Sequence, residues 1–295
     1  MSVSQESDWL NKINSADINT NIKLNPDVSD VLSLVQKHYH GVLLTEKQLT
    51  LFRMTDHVDV GAYNSNNEII GYLMCLFFNI KKSNGSNTTW MSTTFLTVRP
   101  DYRNQSIALQ MMKVVAEYGN KLGYRFGYYL TDKPYTPYAR QITEMYRPLD
   151  IETCIKAGIS VKGIRPIKEY HTNFEYNIPS RSSLYIDIDK VSFAHGIINS
   201  DHVYVIYGEQ DIKVNDKIQT MAIIYDSNIR TDDDMEDALR YFAPRYFLLY
   251  YLGTGLCNMH NMTKHGWRHC NEVRYMDFYN PDLLTIPDIR YMLPV

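Results

Sequence analysis

The residues with the clearest chemical use lie at 103–108, where Arg-Asn-Gln-Ser-Ile-Ala stands directly after a strand-like run and before a helical one. The first turn of a helix carries unpaired backbone NH groups and the positive end of the helix dipole, so this segment makes a seat for a phosphate group. Small side chains at Ser106 and Ala108 let a bulky anion reach the backbone, and Arg103 adds a formal positive charge at the mouth of the turn. An ordinary strand-to-helix turn has the same local pattern, and only the neighbouring elements decide between the two. A second constellation, Cys257-x2-His260-x4-His265-x3-His269-Cys270, gathers five soft-metal ligands but lacks the spacing of a standard finger, and no metal is expected there. His38, His40 and His57 read as exposed or capping residues, and Asp232-Asp233-Asp234 as a helix cap with a solvated face.

The elements that must position these groups follow from composition and periodicity. With 295 residues, 44% of them hydrophobic, the chain can bury one large core or two moderate ones. A net charge of -3 supplies no basic field, so nucleic acid is not the expected partner. Cys75, Cys154, Cys257 and Cys270 show no framework spacing; without a signal peptide or long apolar run, the expectation is a reduced, cytoplasmic protein with no stable membrane insertion.

Residues 1–27 are polar and read as an arm or lid on a folded body. A helix is predicted over 27–40 with Val28, Val31, Leu32, Leu34 and Val35 on its apolar side, and Thr45 with Gln48 form the capping box of a second helix ending at Phe52. Strands over 58–63, 68–80 and 88–98, separated by turn signals at 64–67 and at Asn84-Gly85, form an antiparallel meander. The helix after the seat buries Ile107, Met111, Val114, Val115, Tyr118 and Leu122, and Gly123 stops it. A strand over 125–131 and a helix over 138–146, closed by Pro148, complete the first half. Further on, 202–207 and 217–225 form a hairpin around Val214-Asn215-Asp216, echoing the hairpin at 58–80. Residues 232–247 are ambiguous, because an acidic start suits a helix and Pro244 interrupts one. Ile289, Tyr291, Leu293 and Val295 alternate like a buried strand at the end of the chain.

In this setting Arg103-x-x-Ser106-x-Ala108 resembles the pyrophosphate motif Gln/Arg-x-x-Gly-x-Gly/Ala of the GNAT superfamily of N-acetyltransferases. A closer resemblance is to the N-myristoyltransferases. Ile70-Gly71-Tyr72, Thr94-Phe95-Leu96-Thr97-Val98, the 103–108 segment and Tyr146-Arg147-Pro148-Leu149 are similar to that family's Val-Gly-Phe, Asn-Phe-Leu-Cys-Val, Arg-Ser-Lys-Arg-Val-Ala and Leu-Asn-Pro-Arg. Gly163-Ile164-Arg165-Pro166 resembles its Gly-Leu-Arg-Pro, and the run from Val273 to Asn280 its Leu-Gln-Tyr-Tyr-Leu-Tyr-Asn strand; the match spans roughly 28–295 and is dense to about 166.

The resemblance implies an α/β fold in which two tandem GNAT-like halves share a saddle-shaped mixed β-sheet flanked by helices. It divides the chain into the arm at 1–27, an acyl-CoA-binding half at 28–165 and a peptide-binding half at 166–295 with a catalytic C-terminus. It implies a monomer that transfers a long-chain acyl group from myristoyl-CoA, the co-substrate, to the N-terminal glycine amine of a peptide or protein. Leu96, Thr97, Val98, Arg103, Asn104, Gln105, Ser106, Ile107 and Ala108 would hold the acyl-CoA. The NH groups of Phe95 and Leu96 would form the oxyanion hole, which a regular strand cannot do, because its successive NH groups point to opposite sides; the strand must bulge there. The Val295 carboxylate would take the amine proton, with Pro294 fixing its approach. A free α-carboxyl has a pKa of about 3.3 to 3.7, so it must be desolvated to act as a base near neutrality.

Several positions depart from the family pattern. Lys37-His-Tyr-His-Gly-Val-Leu-Leu replaces an acidic run, Arg268-His-Cys-Asn-Glu272 replaces Gly-x-Gly-Asp-Gly, Thr94 replaces asparagine, and the N-terminal Phe-Trp-x-Thr-Gln-Pro segment has no counterpart. Two other activities share the residues at 94–108: transfer of a short acyl group by the same superfamily, and acyl-CoA binding without turnover.

Overall fold

The antiparallel meander forms as its alternation requires. In a computed structural model that describes residues 20–39, 43–81, 87–124, 127–135, 139–167, 170–177, 191–253 and 261–279, β2 (His57–Tyr63), β3 (Ile69–Lys81) and β4 (Asn87–Val98) pair in succession. Side chains of β3 point alternately to two cores. Tyr72, Met74, Leu76 and Phe78 face one that contains α1 (Val28–His38) and α2 (Glu46–Arg53), whereas Leu73, Cys75 and Phe77 face another that contains α3 (Ile107–Lys121). Helix α1 buries Val31, Leu34 and Val35 on one stripe. Thr45 caps α2 with the reciprocal Gln48 bond that the sequence predicts.

The second half follows the same grammar. β9 (Tyr204–Val214) and β10 (Lys217–Ser227) form a hairpin whose turn holds Asn215 and Asp216 at φ 46° and 62°, the left-handed pair a tight two-residue turn demands. A short helix α4 (Ile151–Lys156) precedes this half; α5 (Asp232–Phe242) follows the hairpin, and then β11 (Leu248–Gly253). Among the described residues, the sheet runs β1-β2-β3-β4-β5-β13-β6-β11-β10-β9-β8-β7, with β12 (Arg268–His269) beside β6. Here β1 is Asn21–Leu24, β5 Gly127–Thr131, β6 Arg140–Pro148, β7 Glu175–Tyr176, β8 Ala194–Ile198 and β13 Arg274–Tyr279. The fold is therefore an open, mixed α/β sheet with helices on both faces. The first core is shared between the halves: Phe52 of α2 meets Phe193, just before β8, at 4.7 Å between ring centroids.

Three expectations are corrected. Residues 138–146 do not form a helix: Arg140–Pro148 is a central strand, paired with β13 on one edge and β11 on the other. Its Ile142, Thr143 and Tyr146 suit a pleated surface, and two ladders of backbone hydrogen bonds outweigh the modest helix preference of Gln141, Glu144 and Met145. Of the polar arm at 1–27, Asn21–Leu24 is an edge strand on β2, with Ile22 buried. Leu122 is 44% exposed, because the helix has already reached its C-cap there, with Gly123 at φ 88°. The ambiguous 232–247 segment resolves into α5, which ends at Phe242, ahead of Pro244. His40, Asn84-Gly85 and the 289–295 alternation lie outside the described residues.

Candidate functional site

The bulge that two convergent NH groups need is present in β4. Its register against β3 jumps from Thr94↔Met74 to Thr97↔Tyr72, so Phe95 and Leu96 together oppose the single residue Leu73. Phe95 sits at φ 55°, a left-handed conformation that costs a bulky residue on the order of 1–2 kcal/mol. Three contacts hold it there. Its ring is buried edge-on against Tyr39 at 5.8 Å and Phe52 at 5.4 Å, and the buried Thr97 hydroxyl donates to the Phe95 carbonyl at 3.0 Å.

The bulge lies where the sheet opens. β4 pairs with β5 in parallel only over Met91–Thr93, so beyond Thr93 the two strands part and the edge of β4 at residues 94–98 leaves that ladder. Leu96, 45% exposed, stands on this opening. A strand edge released from its neighbour can form main-chain bonds with an extended ligand laid along it.

The same strand delivers the chain into the predicted phosphate seat at 103–108. After a 3-10 turn at Pro100–Tyr102, Arg103 donates Nε to the Val98 carbonyl at 3.3 Å, and Asn104 and Ser106 take φ values of 63° and 59°. Backbone turns of this kind form concave sets of NH groups that bind anions. Ser106 is the N-cap of α3, yet its side chain makes no capping bond, and the first turn holds no acidic residue. Arg103, Asn104, Gln105 and Ser106 are exposed. Ile107 anchors the helix start beneath them, against Gly71: a Cβ at position 71 would come within 3.1 Å of the Ile107 and Met111 side chains. The glycine of the Ile70-Gly71-Tyr72 motif therefore sets how closely the seat approaches the sheet.

The β9–β10–α5–β11 unit repeats β3–β4–α3–β5, including a parallel pairing limited to Ala222–Ile224 and a bulge before Asp226. Its helix start has the opposite chemistry. Thr231 caps α5 in a reciprocal box with Asp234, and Asp232, Asp233 and Asp234 fill the first turn. Bonds from Lys264, His265 and Asn261 hold the Asp232 carboxyl well below the usual range. That end is satisfied and negative, so of the two equivalent helix starts only α3 is open to a phosphate. The acidic run is a cap, as its composition predicts.

Other sequence candidates are dispersed. His265 points Nε2 at Asp232, 3.0 Å away, His269 lies on β12, and the Cys270 amide donates to the Glu144 carbonyl; Cys257 and His260 lie outside the described residues. Among the described residues, no group of His, Cys, Asp or Glu is placed to hold a metal ion. Arg147 is buried and donates to the carbonyls of His265, Pro148 and Arg165, binding the Gly163-Ile164-Arg165-Pro166 loop to β6; burial, then Arg268, pull its pKa down to about 10. Val295 lies outside the described residues. Sequence reading did not single out Tyr39, Phe52 or Thr97 as supports of the bulge. Nor did it find the buried Glu144, which accepts from Tyr250 and lies 3.3 Å from Arg274; an acid inside a segment read as a helix gave no signal of a central-strand ion pair.

Comparison with known proteins agrees with this geometry. Residues 30–142 match the acetyltransferase (GNAT) family model. That match covers the first half of the sheet, and the chain as a whole has the fold of the N-myristoyltransferases. Saccharomyces cerevisiae N-myristoyltransferase with bound myristoyl-CoA superposes with a TM-score of 0.66 at 10% identity, over 92% of this chain and 82% of that one. A second structure of the same yeast enzyme with myristoyl-CoA gives 0.67 at 10% identity, over 93% and 89%. A third, with myristoyl-CoA and inhibitors, gives 0.66 at 11% identity, over 93% and 86%. A search of curated protein sequences finds no match. Among the described residues, no helix is long and apolar enough to cross a membrane.

Proposed function

We propose that this protein transfers a long-chain acyl group, myristoyl in the first instance, from acyl-CoA to the N-terminal glycine amine of a peptide or protein. The observation that carries the reading is the bulge at Phe95–Leu96, on a strand edge that leaves its neighbour and runs into the uncapped, acid-free start of α3. In this reading the thioester carbonyl lies against the backbone NH groups of Phe95 and Leu96, which stabilise the oxyanion as the amine attacks. Leu96, Thr97 and Val98 bond the pantetheine arm, and the 103–108 segment takes the diphosphate. The amine proton passes to the Val295 carboxylate, the thiolate of coenzyme A leaves, and an amide remains. Residues 28–165 would hold the donor and 166–295 most of the acceptor.

Chain length separates this reading from short-acyl transfer. Each buried CH₂ contributes about 0.8 kcal/mol, so a myristoyl chain exceeds an acetyl group by roughly 10 kcal/mol of gross transfer energy. Thermal-shift titrations with acetyl-, octanoyl- and myristoyl-CoA test it. Stabilisation should grow with chain length; equal shifts would remove the long-chain assignment, and none at all would remove acyl-CoA as the ligand.

A further inference from the structure

Between the last turns of α1 and the exit of β4 lies an open cleft of about 460 Å³ whose walls include Ser33, Lys37, His38, Ile69, Arg99 and Asp101. Its polar side chains are unevenly matched. Arg99 is held by Asp101 at 2.7 Å and by Glu68 at 3.5 Å, whereas Lys37 and His38 form no ion pair among the described residues. The field in the cleft is positive: besides burial, the charges of Lys37, Arg99 and Arg103 push the His38 pKa down, and Asp101 only partly opposes them. This surplus stands in a chain whose net charge is -3.

The cleft opens beside α1, next in sequence to a residue that supports the bulge, and near enough to the seat for Arg103 to act on His38. Tyr39, the next residue after His38, packs its ring on that of Phe95. α1 belongs to the core that contains Phe95, and α3 to the core on the opposite face of β3. The cleft walls come from α1 and the exit of β4 and include no residue of 103–108, so an anion held on the NH groups at the start of α3 leaves Lys37 without a carboxylate partner.

We propose that the cleft binds a carboxylate side chain of the acceptor, so that acceptors with Asp or Glu a few residues from the reacting amine are preferred over those with Lys. This rests on the acyl-transfer reading above and adds the charge class of its second substrate. Lys37 would supply the direct ion pair. Arg99, fixed by Asp101, would supply the rigid wall.

The test uses the full chain and N-terminal-glycine peptides labelled at their C-terminus, carrying Glu, Ala or Lys at each of the third to sixth positions. Binding is read by fluorescence anisotropy with and without myristoyl-CoA, which requires no turnover. One exposed ion pair changes affinity by at most about fivefold, so exchanging attraction for repulsion should separate the Glu and Lys peptides by about tenfold. The gap should narrow as salt is raised. Lys37→Glu should invert the order and Lys37→Ala should abolish it, both without altering myristoyl-CoA affinity. Equal binding of the three peptides by the native protein, or no binding of any, overturns the proposal. So does a Lys37→Glu variant that loses acyl-CoA affinity while keeping the acceptor order, since the anion in the cleft would then be a phosphate of the coenzyme. If myristoyl-CoA itself fails to stabilise the protein, the acyl-transfer reading falls, while the anisotropy order still reports on the cleft.

Discussion

Phe52 stands edge-on to Phe95 at 5.4 Å between ring centroids, interplanar angle 76°, and its other side meets Phe193 at 4.7 Å. One ring of α2 thus supports the left-handed residue of the bulge and joins it to the second half of the sheet. Tyr225, the extra residue of the second bulge, packs on Phe193 at 6.0 Å, so both bulges rest on one aromatic chain. Phe52→Ala should cost about 3–5 kcal/mol of stability, the usual range for deleting a buried aromatic ring. It should also weaken acyl-CoA binding although it touches no proposed ligand contact. Urea unfolding beside acyl-CoA titration checks both; a stability loss with unchanged affinity would mean that the bulge keeps its shape without this ring.

Thr97 is 3% exposed, and its hydroxyl donates to the Phe95 carbonyl. Thr97→Val keeps the shape and removes the donor, which should cost about 1–3 kcal/mol by leaving a buried carbonyl short of a partner. If the bulge geometry serves the oxyanion, the rate of acyl transfer should fall while the acyl-CoA Kd changes little. A parallel loss of binding and rate would mean that the Thr97 side chain, and not only its backbone, serves the donor pocket.

Arg103 is exposed and free of any ion pair among the described residues, at the mouth of an acid-free helix start. Arg103→Glu should weaken acyl-CoA binding by about tenfold, because it places like charge beside the diphosphate. Lys113→Glu, on the exposed side of the same helix, should have little effect. Isothermal titration of both variants decides, and equal losses would argue against a seat at residues 103–108.

Asp226, 1% exposed, has its pKa raised to about 7 by burial, opposed by bonds from the Tyr204 hydroxyl and the Ser227 backbone. The unfolded chain holds this proton only below about pH 4. Between those limits the folded state binds the extra proton, so this group's contribution to stability is full at low pH, falls as pH rises from about 4 to about 7, and levels off above. Asp226→Asn should flatten that slope in pH-dependent urea unfolding; an unchanged slope would show that another group titrates there.

How far the sequence reached is visible at particular residues. The meander, helices α1 and α2 and the strand-to-helix turn at 103–108 were legible because alternation, the Thr45–Gln48 box and small residues before an apolar stripe are local patterns. The need for a bulge at Phe95–Leu96 followed from strand geometry alone, but its supports did not. Tyr39, Phe52 and Phe193 are far apart in the chain, and nothing local announces that they meet. The strand at Arg140–Pro148 was missed for the same reason, since what fixes it is pairing with β11 and β13, more than a hundred residues away. Asp226 and Glu144 were illegible too, because a buried acid looks like a surface one until its neighbours are known.

The last prediction concerns the base, which separates an N-myristoyltransferase-like mechanism from one that relies on a side chain. If the Val295 carboxylate takes the amine proton, adding one glycine after it displaces the charge by about 3.5 Å, more than a hydrogen bond to the attacking nitrogen can absorb. Transfer should collapse. Acyl-CoA binding should survive, because the backbone at Phe95 and Leu96 and the seat at 103–108 are untouched, and the fold should lose little, because the alternation of Ile289, Tyr291 and Leu293 remains. An enzyme with a side-chain base would barely notice the extension, and a binder without turnover would have no rate to lose. Single-turnover transfer to an N-terminal-glycine peptide, run beside acyl-CoA titration for the native and extended chains, distinguishes the three. Undiminished transfer by the extended chain would remove Val295 as the base and direct attention to the ionisable groups beside the bulge.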